Sequence, residues 1–385
     1  MLTRRAMLRA AVGARGREGF EQQRPRERKG GGRQGGNSGF GRPQPGDVII
    51  SGNENPLGPG PGALDALLGR LDESGRYPMN STVTDADVTK ALADRFGARP
   101  ENIVLGAGSG EILRSTVRAY TSDQRHLVTA SPSYNSPVAT ARNIGTEIKA
   151  VPVDERLGLD LKAMTSAARE SGVVFFCNPN NPTATVHGKA AVTGFIDEVH
   201  KGSADTVVLV DEAYHDYVTD PSYESAISLA LERENVIVSR TFSKAYGMAG
   251  LRLGYAIGSE NTLERLRGFK LTFNTNVLVM AAAIASLADE DYIPNERERN
   301  REAREYTLNF FEQANVPASE SQTNFIFIEL GYPAEKFRTA CADQGVHVGR
   351  DFPPLEKTHC RISIGTMAEM KKATEVFSKV LKEVV

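Results

Sequence analysis

Short apolar runs alternate with amphipathic stretches over most of the chain. Five short, almost wholly apolar runs are each followed by a polar cluster, and helical patterns such as 111–120 separate them. Apolar strands separated by helices are typical of a mainly parallel sheet that is covered on both faces. The pattern therefore predicts an α/β fold whose strands include 103–105, 126–129, 173–176, 207–210 and 236–238.

The pattern changes beyond about residue 290. A charged helical stretch at 295–313 is followed by an apolar run at 324–328, a second helical segment and another run at 360–364. This arrangement predicts a smaller α+β domain. We expect residues 76–288 to form the large domain and residues 289–385 the small C-terminal domain, which the segment 47–75 joins.

The first 46 residues differ from the rest in composition. Residues 1–50 hold eleven Arg and Lys against four acids, although the net charge of the whole chain is only −2. The stretch 15–42 is dominated by Gly, Arg, Gln and Glu and has almost nothing to bury, which predicts disorder. The basic excess therefore belongs to a tail, and weak contact of that tail with nucleic acid or anionic lipid stays open.

The tail begins with a motif, Thr3-Arg4-Arg5-Ala6-Met7-Leu8-Arg9, that resembles a twin-arginine export signal. Only five small or apolar residues follow before Arg15, which is short for the apolar segment of a signal. We therefore expect a cytoplasmic protein, with export through residues 1–14 as the alternative. No apolar run is long enough to predict a transmembrane segment, and residues 1–46 carry no helix-turn-helix pattern for a specific nucleic-acid partner.

Neither the cysteines nor the histidines predict a metal site. Cys177, Cys341 and Cys360 are too widely separated for a zinc spacing or a disulfide framework. The stretch 211–216 contains two Asp, a Glu and a His, but no second His or Cys stands nearby. We therefore predict that no metal is bound.

Polar clusters follow the predicted strands at the point where each strand ends. In parallel sheets, ligands bind beyond the carboxyl ends of the strands, so clusters that follow different strands meet at one edge. The sequence therefore predicts a single site built from 106–111, 131–134, 178–182, 211–216 and 239–247.

Two residues of this site suit pyridoxal 5′-phosphate (PLP). PLP needs an amine for its aldehyde, an acid at its pyridine nitrogen, donors for its phosphate and a group on its ring face. Lys244 follows a strand among small and hydroxyl residues, where a partly desolvated amine can lose its proton and form an imine. Asp211 ends an apolar strand and needs a partner, either a pyridinium or a helix cap or core ion pair.

Further residues suit the rest of the cofactor. The glycine-rich turn 106–111 opens a helix, and helix N-termini bind phosphate through free amides. Its third glycine is misplaced for the dinucleotide pattern G-x-G-x-x-G, which argues against NAD. Other side chains suit the phosphate (Ser243 and Arg252), the pyridine 3′-oxygen (Tyr214 and Asn181) and the ring face (Tyr134). Packing within a turn is the alternative for Tyr134.

Six strings in order along residues 47–385 resemble class I and II aminotransferases, most closely the histidinol-phosphate aminotransferase-like branch. They are NENPLG at 53–58, RYP at 76–78, NPNNPT at 178–183, VDEAY at 210–214, TFSKAYGMAGLR at 241–252 and RISIG at 361–365. The resemblance implies a PLP-dependent enzyme of amino-acid metabolism with fold type I and a mainly parallel sheet of the seven-stranded type. It also implies a homodimer with the active site at the dimer interface.

The resemblance also implies a role for each residue that matches the family's motifs. Lys244 would form the Schiff base with PLP and Asp211 would hold the pyridinium, and both would be catalytic together with Tyr214. The other cofactor-binding residues would be Ser109, Gly110, Tyr134, Asn181, Ser243, Arg252 and, from the second subunit, Tyr77. The substrate-binding residues would be Arg361, which would clamp the α-carboxylate, with Asn55 and Arg350.

The chain departs from the family pattern at three places. Gly110 stands where the family usually has an acid, and Ala184 where it usually has Gly. The stretch 348–354 differs from the arginine-containing loop expected of a histidinol-phosphate enzyme, which leaves the substrate open.

The resemblance implies ping-pong transfer of an amino group from an amino acid or a histidinol-phosphate-like amine to a 2-oxo acid. A PLP-dependent decarboxylase or β-eliminating lyase on the same fold is the alternative, because the cofactor motifs do not choose the bond that breaks. A PLP-sensing regulator would need a DNA-binding module, which the tail does not provide.

Overall fold

The computed structural model describes residues 43–384. The predicted disordered stretch 15–42 and the twin-arginine motif at 3–9 lie outside these residues. The strands are β1 (Val48–Ile49), β2 (Ile103–Gly106), β3 (Leu127–Ser131), β4 (Ile148–Pro152), β5 (Val173–Cys177), β6 (Val207–Asp211), β7 (Val236–Thr241), β8 (Gly254–Ile257), β9 (Phe325–Glu329), β10 (Val346–His347) and β11 (His359–Ser363).

Helices connect most of these strands. They are α1 (Pro61–Leu68), α2 (Asp85–Phe96), α3 (Ser109–Tyr120), α4 (Ser136–Asn143), α5 (Leu161–Ala167), α6 (Lys189–Gly202), α7 (Ile227–Glu232), α8 (Glu260–Arg267), α9 (Val277–Ala288), α10 (Tyr292–Gln313), α11 (Ala334–Asp343) and α12 (Met367–Val384). Within residues 43–384, none of them combines the length and the apolar character needed to cross a membrane.

Seven strands form one sheet in the order β2-β8-β7-β6-β5-β3-β4. Neighbouring strands are parallel except at β8, which runs antiparallel to both β7 and β2. Every residue of β5 and β6 is buried, because alternate side chains enter two different apolar clusters, one on each face of the sheet. The mainly parallel, seven-stranded α/β fold predicted from the sequence is confirmed.

The sequence pattern did not predict two strands of this sheet. β4 is an edge strand that pairs only with β3, and three of its five residues are exposed, so it lacks an apolar run. β8 is only four residues long and begins at Gly254. Its antiparallel direction also departs from the strand–helix alternation on which the prediction rested.

A third apolar cluster lies in the C-terminal part of the chain. The antiparallel strands β9 and β11 contribute residues to this cluster. Large buried side chains of three helices belong to it as well, namely Phe311, Phe337 and Phe377. β1 pairs in parallel with β10, where Val48 lies opposite Val346, so the first strand contributes to this C-terminal layer. The domain limits at residues 75/76 and 288/289 stay predictions.

A buried ion pair fixes the ends of the two central strands. Glu212, directly after β6, accepts from the Nε and Nη2 atoms of Arg240 in β7 at 3.0 and 2.9 Å. The same carboxylate accepts from the backbone amide of Ala226 at 2.7 Å and from the Ser225 hydroxyl at 2.7 Å. Because both charges are paired and hydrogen-bonded, the pair is tolerated in the interior, and it holds the end of β6 in place.

Gly254 opens β8 directly behind the turn that precedes α3. A methyl group there would collide with the backbone of Gly108 and Ser109, which cannot shift without displacing α3. We expect Gly254→Ala to lower the free energy of unfolding by about 1–3 kcal/mol, measured by denaturant unfolding. The control Gly194→Ala places its methyl in open space on α6 and should be neutral or stabilising by about 1 kcal/mol. Equal losses in both variants would contradict the crowding argument.

Candidate active site

Lys244 lies in the turn after β7. Its Nζ donates to the carbonyl oxygen of Gly52 at 3.0 Å and lies 5.7 Å from the centroid of the Tyr214 ring. Burial, and next the positive charge of Arg361, lower the pKa of Lys244 to about 8. A sizeable fraction of the amine is therefore neutral, and nucleophilic, at neutral to mildly alkaline pH.

Asp211 is the last residue of β6 and is buried. It lies in register between Cys177 of β5 and Ser239 of β7. Its Oδ1 atom has no hydrogen-bond partner among the described residues, and burial raises the pKa of this carboxyl to about 7. A buried carboxylate oxygen without a partner is costly, and the protonated nitrogen of a pyridine ring is a partner of the right charge for it.

Tyr214 and Asn181 meet Arg361 beside these two residues. The Tyr214 hydroxyl accepts from the side-chain amide of Asn181 at 3.1 Å and from that of Asn53 at 3.0 Å. The Oδ1 atom of Asn181 accepts from Nη1 of Arg361 at 2.8 Å. Asn181, Tyr214 and Arg361 lie up to 180 positions apart in sequence. They meet because the segments after β5 and β6 lie beside strand β11.

Arg361 carries a buried positive charge that no carboxylate pairs among residues 43–384. Its guanidinium lies 5.5 Å from the ring centroid of Phe325 and 4.7 Å from that of Phe352. Nη2 donates to the Ser51 carbonyl at 2.6 Å, whereas Nε is buried without a partner. Burial lowers the pKa of Arg361 to about 10, and a bound anion would offset that cost.

A second cation-lined hollow lies at the start of α3. Gly108 precedes the helix with φ +79°, and a methyl group on it would collide with the guanidinium of Arg252. Arg252 donates to the hydroxyl of Ser243 at 3.2 Å and to the Ala107 carbonyl at 3.3 Å. Ser109 is the first residue of α3, so a guanidinium, hydroxyls and free helix amides converge there, as a phosphate requires. A methyl group on Gly110 beside them would make only an ordinary contact, at 4.0 Å from Nη1 of Arg114.

Four predicted site residues make other contacts, and their roles stay predictions. Tyr134 is half-buried, and burial followed by the charge of Asp211 raises the pKa of its phenol. The side-chain amide of Asn55 donates to the Ala245 carbonyl at 2.9 Å and to the Tyr292 hydroxyl at 3.2 Å.

The other two lie towards the surface. The Arg350 guanidinium lies 4.5 Å from the centroid of the Phe352 ring and donates to the Asp351 carbonyl at 3.1 Å. Tyr77 is 67% exposed, and its ring contacts Phe273 at 5.7 Å between centroids rather than the residues around Lys244.

Three residues of this site are not predicted by the sequence pattern, namely Asn53, Phe325 and Phe352. Asn53 was quoted only as part of a string, yet it is buried and bonds to Tyr214. Its φ of +55° is a conformation that Asn tolerates better than most residues, but this conformation leaves no trace in the sequence. Phe325 and Phe352 border the Arg361 guanidinium. Phe352 had been noted only as a departure from the family pattern.

The family model for aminotransferase class I and II matches residues 48–377. The chain belongs to this family. The chain is 35% identical over 341 residues to a histidinol-phosphate aminotransferase of Moorella thermoacetica, covering 88% of this chain and 86% of that protein. It is 31% identical to the enzyme of the same name from Bacillus subtilis, covering 87% of this chain and 91% of that protein.

Solved structures agree with this assignment. A putative histidinol-phosphate aminotransferase from Erwinia carotovora superposes with a TM-score of 0.84 at 30% identity, covering 90% of this chain and 99% of that one. The Sinorhizobium meliloti histidinol-phosphate aminotransferase, solved with pyridoxal 5′-phosphate, superposes with a TM-score of 0.80 at 27% identity, covering 88% and 92%. The predicted fold type I, the PLP cofactor and the aminotransferase function are confirmed, and the decarboxylase or lyase alternative is not favoured.

The pKa of Asp211 predicts how the PLP-free enzyme responds to pH. The folded pKa of about 7 lies above the usual value of 3.8, so the folded state binds the extra proton between these values and loses stability as pH rises through them. Asp211→Asn cannot ionise. We therefore expect the PLP-free variant to melt above the PLP-free wild type, with a gap that widens up to about pH 7 and then levels off.

Thermal melts of both PLP-free proteins at several pH values measure this gap. A matched substitution, Asp123→Asn on an exposed loop, should melt at the same temperature as the PLP-free wild type at every pH. A gap that stays constant with pH would show that Asp211 is not the group that titrates.

Proposed function

We propose that this aminotransferase moves an amino group from an amino acid, or from a histidinol-phosphate-like amine, to a 2-oxo acid by a ping-pong mechanism. The observation that carries the proposal is the buried, unpaired guanidinium of Arg361 beside the Tyr214 and Lys244 cluster. A cation in this position would hold an anionic group of the substrate next to the amine that does the chemistry.

The named relatives support an anionic substrate but do not fix which one. Those relatives are called histidinol-phosphate aminotransferases, and both a phosphate and a carboxylate would bind Arg361. Phe325 and Phe352 lie near the guanidinium, which favours a flat carboxylate bound at its edge. Arg350, next to Phe352, would meet a second anionic group of the substrate.

Each residue of the site has a separate task in this mechanism. When bound, PLP supplies the carbonyl group that exchanges for the amine and a ring that accepts electrons. We assign the pyridine nitrogen to Asp211, the ring oxygen to Tyr214 and Asn181, and the ring face to Tyr134. The phosphate would be held by Ser109, Gly110, Ser243 and Arg252.

Lys244 acts both as the attachment point and as the general acid–base catalyst. Its lowered pKa would supply a free amine that can take a proton from the substrate Cα and hold it for return. Arg361 would orient the substrate so that its Cα hydrogen faces this amine. The net result is an oxo compound from the donor and an amino acid from the 2-oxo acid.

Absorption spectra of the purified enzyme with PLP test transamination directly. Histidinol phosphate, His, Phe and Tyr are added separately, and we expect at least one of them to convert the bound cofactor to its amine form. 2-Oxoglutarate should then reverse the change. Lys244→Ala should abolish the lysine-linked band and reduce turnover by at least about 10³-fold.

The control is Lys162→Ala, which removes an exposed lysine of α5, a helix that contributes no residue to the site. If products appear although no donor converts the bound PLP to its amine form, the reaction is decarboxylation or elimination and not transamination.

We also propose that the enzyme is a homodimer whose sites are shared between subunits. Two segments of the chain, 64–79 and 269–273, carry large apolar side chains that are at least two-fifths exposed, and the rings of Tyr77 and Phe273 join these segments at 5.7 Å between centroids. These side chains are Leu64, Leu68, Leu71, Tyr77, Met79, Phe269, Leu271 and Phe273. Exposed apolar surface of this kind marks an association site. The backbone amide of Leu271 donates to Glu111 at 3.0 Å, and Glu111 also accepts from Ala107, so this surface adjoins the phosphate hollow.

Mixing two defective variants tests the shared site. In a dimer of one Lys244→Ala chain and one Tyr77→Ala chain, one site carries both changes and the other carries neither, if Tyr77 serves the opposite subunit. After the variants are dissociated and reassociated together, we expect activity above that of either variant alone, up to about a quarter of wild type. No recovery, in a sample shown by light scattering to contain dimers, would place Tyr77 outside the partner's site.

We propose the cytoplasm as the location of this enzyme, because the apolar stretch after the twin-arginine motif is short for an export signal. Export stays the alternative. Activity recovered in an exported fraction, and lost from it after replacement of Arg4 and Arg5 by Lys, would favour export.

A further inference from the structure

Asn53 closes a ring of hydrogen bonds around the Tyr214 hydroxyl. Its side-chain amide donates to that hydroxyl at 3.0 Å, and its Oδ1 accepts from the hydroxyl of Ser363 at 2.7 Å. On the other side, Asn181 donates to the same Tyr214 oxygen and accepts from Arg361. Ser363 and Arg361 lie two residues apart on β11, so the ring begins and ends on one strand.

Both amides of this ring turn their nitrogen towards Tyr214. Arg361 can only donate, so the Asn181 oxygen faces it and the Asn181 amide nitrogen faces Tyr214. The backbone amide of Asn53 donates to the Ser363 oxygen at 2.9 Å, and the Ser363 hydroxyl donates to Oδ1 of Asn53. The Asn53 amide nitrogen lies on the other side of the side chain and donates to Tyr214.

Two incoming donors determine what the Tyr214 hydroxyl can do. A phenol has one proton to donate and two positions at which it accepts, and the amides of Asn53 and Asn181 occupy both acceptor positions. Burial raises the pKa of this phenol, so the proton stays on the oxygen. The hydroxyl donates to neither Asn53 nor Asn181 and has its proton free for a third partner.

We propose that Asn53 is a positioning residue that holds the Tyr214 hydroxyl as a donor towards the ring oxygen of PLP. This inference rests on the proposed contact between Tyr214 and that oxygen. Asn53 itself would not touch the cofactor, and it acts only by keeping the tyrosine proton turned towards the site.

Burial, the backbone conformation and a further hydrogen bond hold Asn53 in this position. Its side chain is buried, its backbone has φ +55°, and its carbonyl accepts from the side chain of Asn324 at 3.1 Å. Asp has the same shape and also tolerates this backbone conformation, but an ionised Asp can only accept. In Asn53→Asp the tyrosine would therefore donate to residue 53 and turn its proton away from the cofactor.

Equilibrium binding to PLP-free protein isolates this effect from catalysis. The ligands are PLP and an analogue identical except that it lacks the ring hydroxyl, and the measured quantity is the ratio of their dissociation constants. Differences in phosphate binding and in reaction with Lys244 cancel when this ratio is compared between variants. We expect Asn53→Asp to lower the preference for PLP about tenfold relative to wild type.

Asn53→Gly provides a second variant that keeps the left-handed backbone without offering any acceptor. It should lower the same preference by a smaller factor, about threefold. In a Tyr214→Phe background, where no hydroxyl remains to be oriented, Asn53→Asp should change the ratio no further.

An unchanged ratio in both Asn53 variants would overturn the inference. This includes an equal weakening of both ligands, which leaves the ratio unchanged and is what a merely structural role would give. Failure of wild-type protein to bind PLP at all is a distinct result, since it would refute the proposed function and this inference with it.

Discussion

The active site depends on one geometric constraint, the common direction of strands β3, β5, β6 and β7. Because these strands are parallel, the residues that follow them all emerge at the same edge of the sheet. Asp211 and Lys244 each lie at or just beyond the end of a strand that is buried on both faces. The apolar interior of the sheet therefore sets the positions of the polar groups, and the buried Glu212–Arg240 pair keeps two of these ends together.

The same burial that positions these groups also leaves them short of partners. The Oδ1 atom of Asp211 and the Nε atom of Arg361 have no hydrogen-bond partner within residues 43–384, although each sits where water is largely excluded. Such groups lower the stability of the protein alone. They also make the site selective, because a cofactor that carries a cation for Asp211 and a substrate that carries an anion for Arg361 would recover the lost interactions.

The sequence predicted strand positions best in the interior of the sheet. β5 is apolar throughout, β6 is apolar up to Asp211 at its end, and both were predicted almost to the residue. Asn181 and Tyr214, which follow these strands, are in contact. Prediction failed where structure depends on distant partners. β4 is an edge strand with exposed positions, β8 runs against the others, and Asn53 owes its place to Ser363, 310 residues away. Long-range pairing of this kind has no local pattern, so no window of sequence could reveal it.

The short N-terminal segment has a consequence for how the protein is made. Three consecutive residues, Ser51, Gly52 and Asn53, contact Arg361, Lys244 and Tyr214 respectively. This segment is held by β10 and β11, and Asn53 and Ser363 lie 310 residues apart in sequence. Ser51, Gly52 and Asn53 must therefore wait for the synthesis of β10 and β11 before they reach their final places. The large sheet can assemble before those strands are made, but the active site is completed only after them.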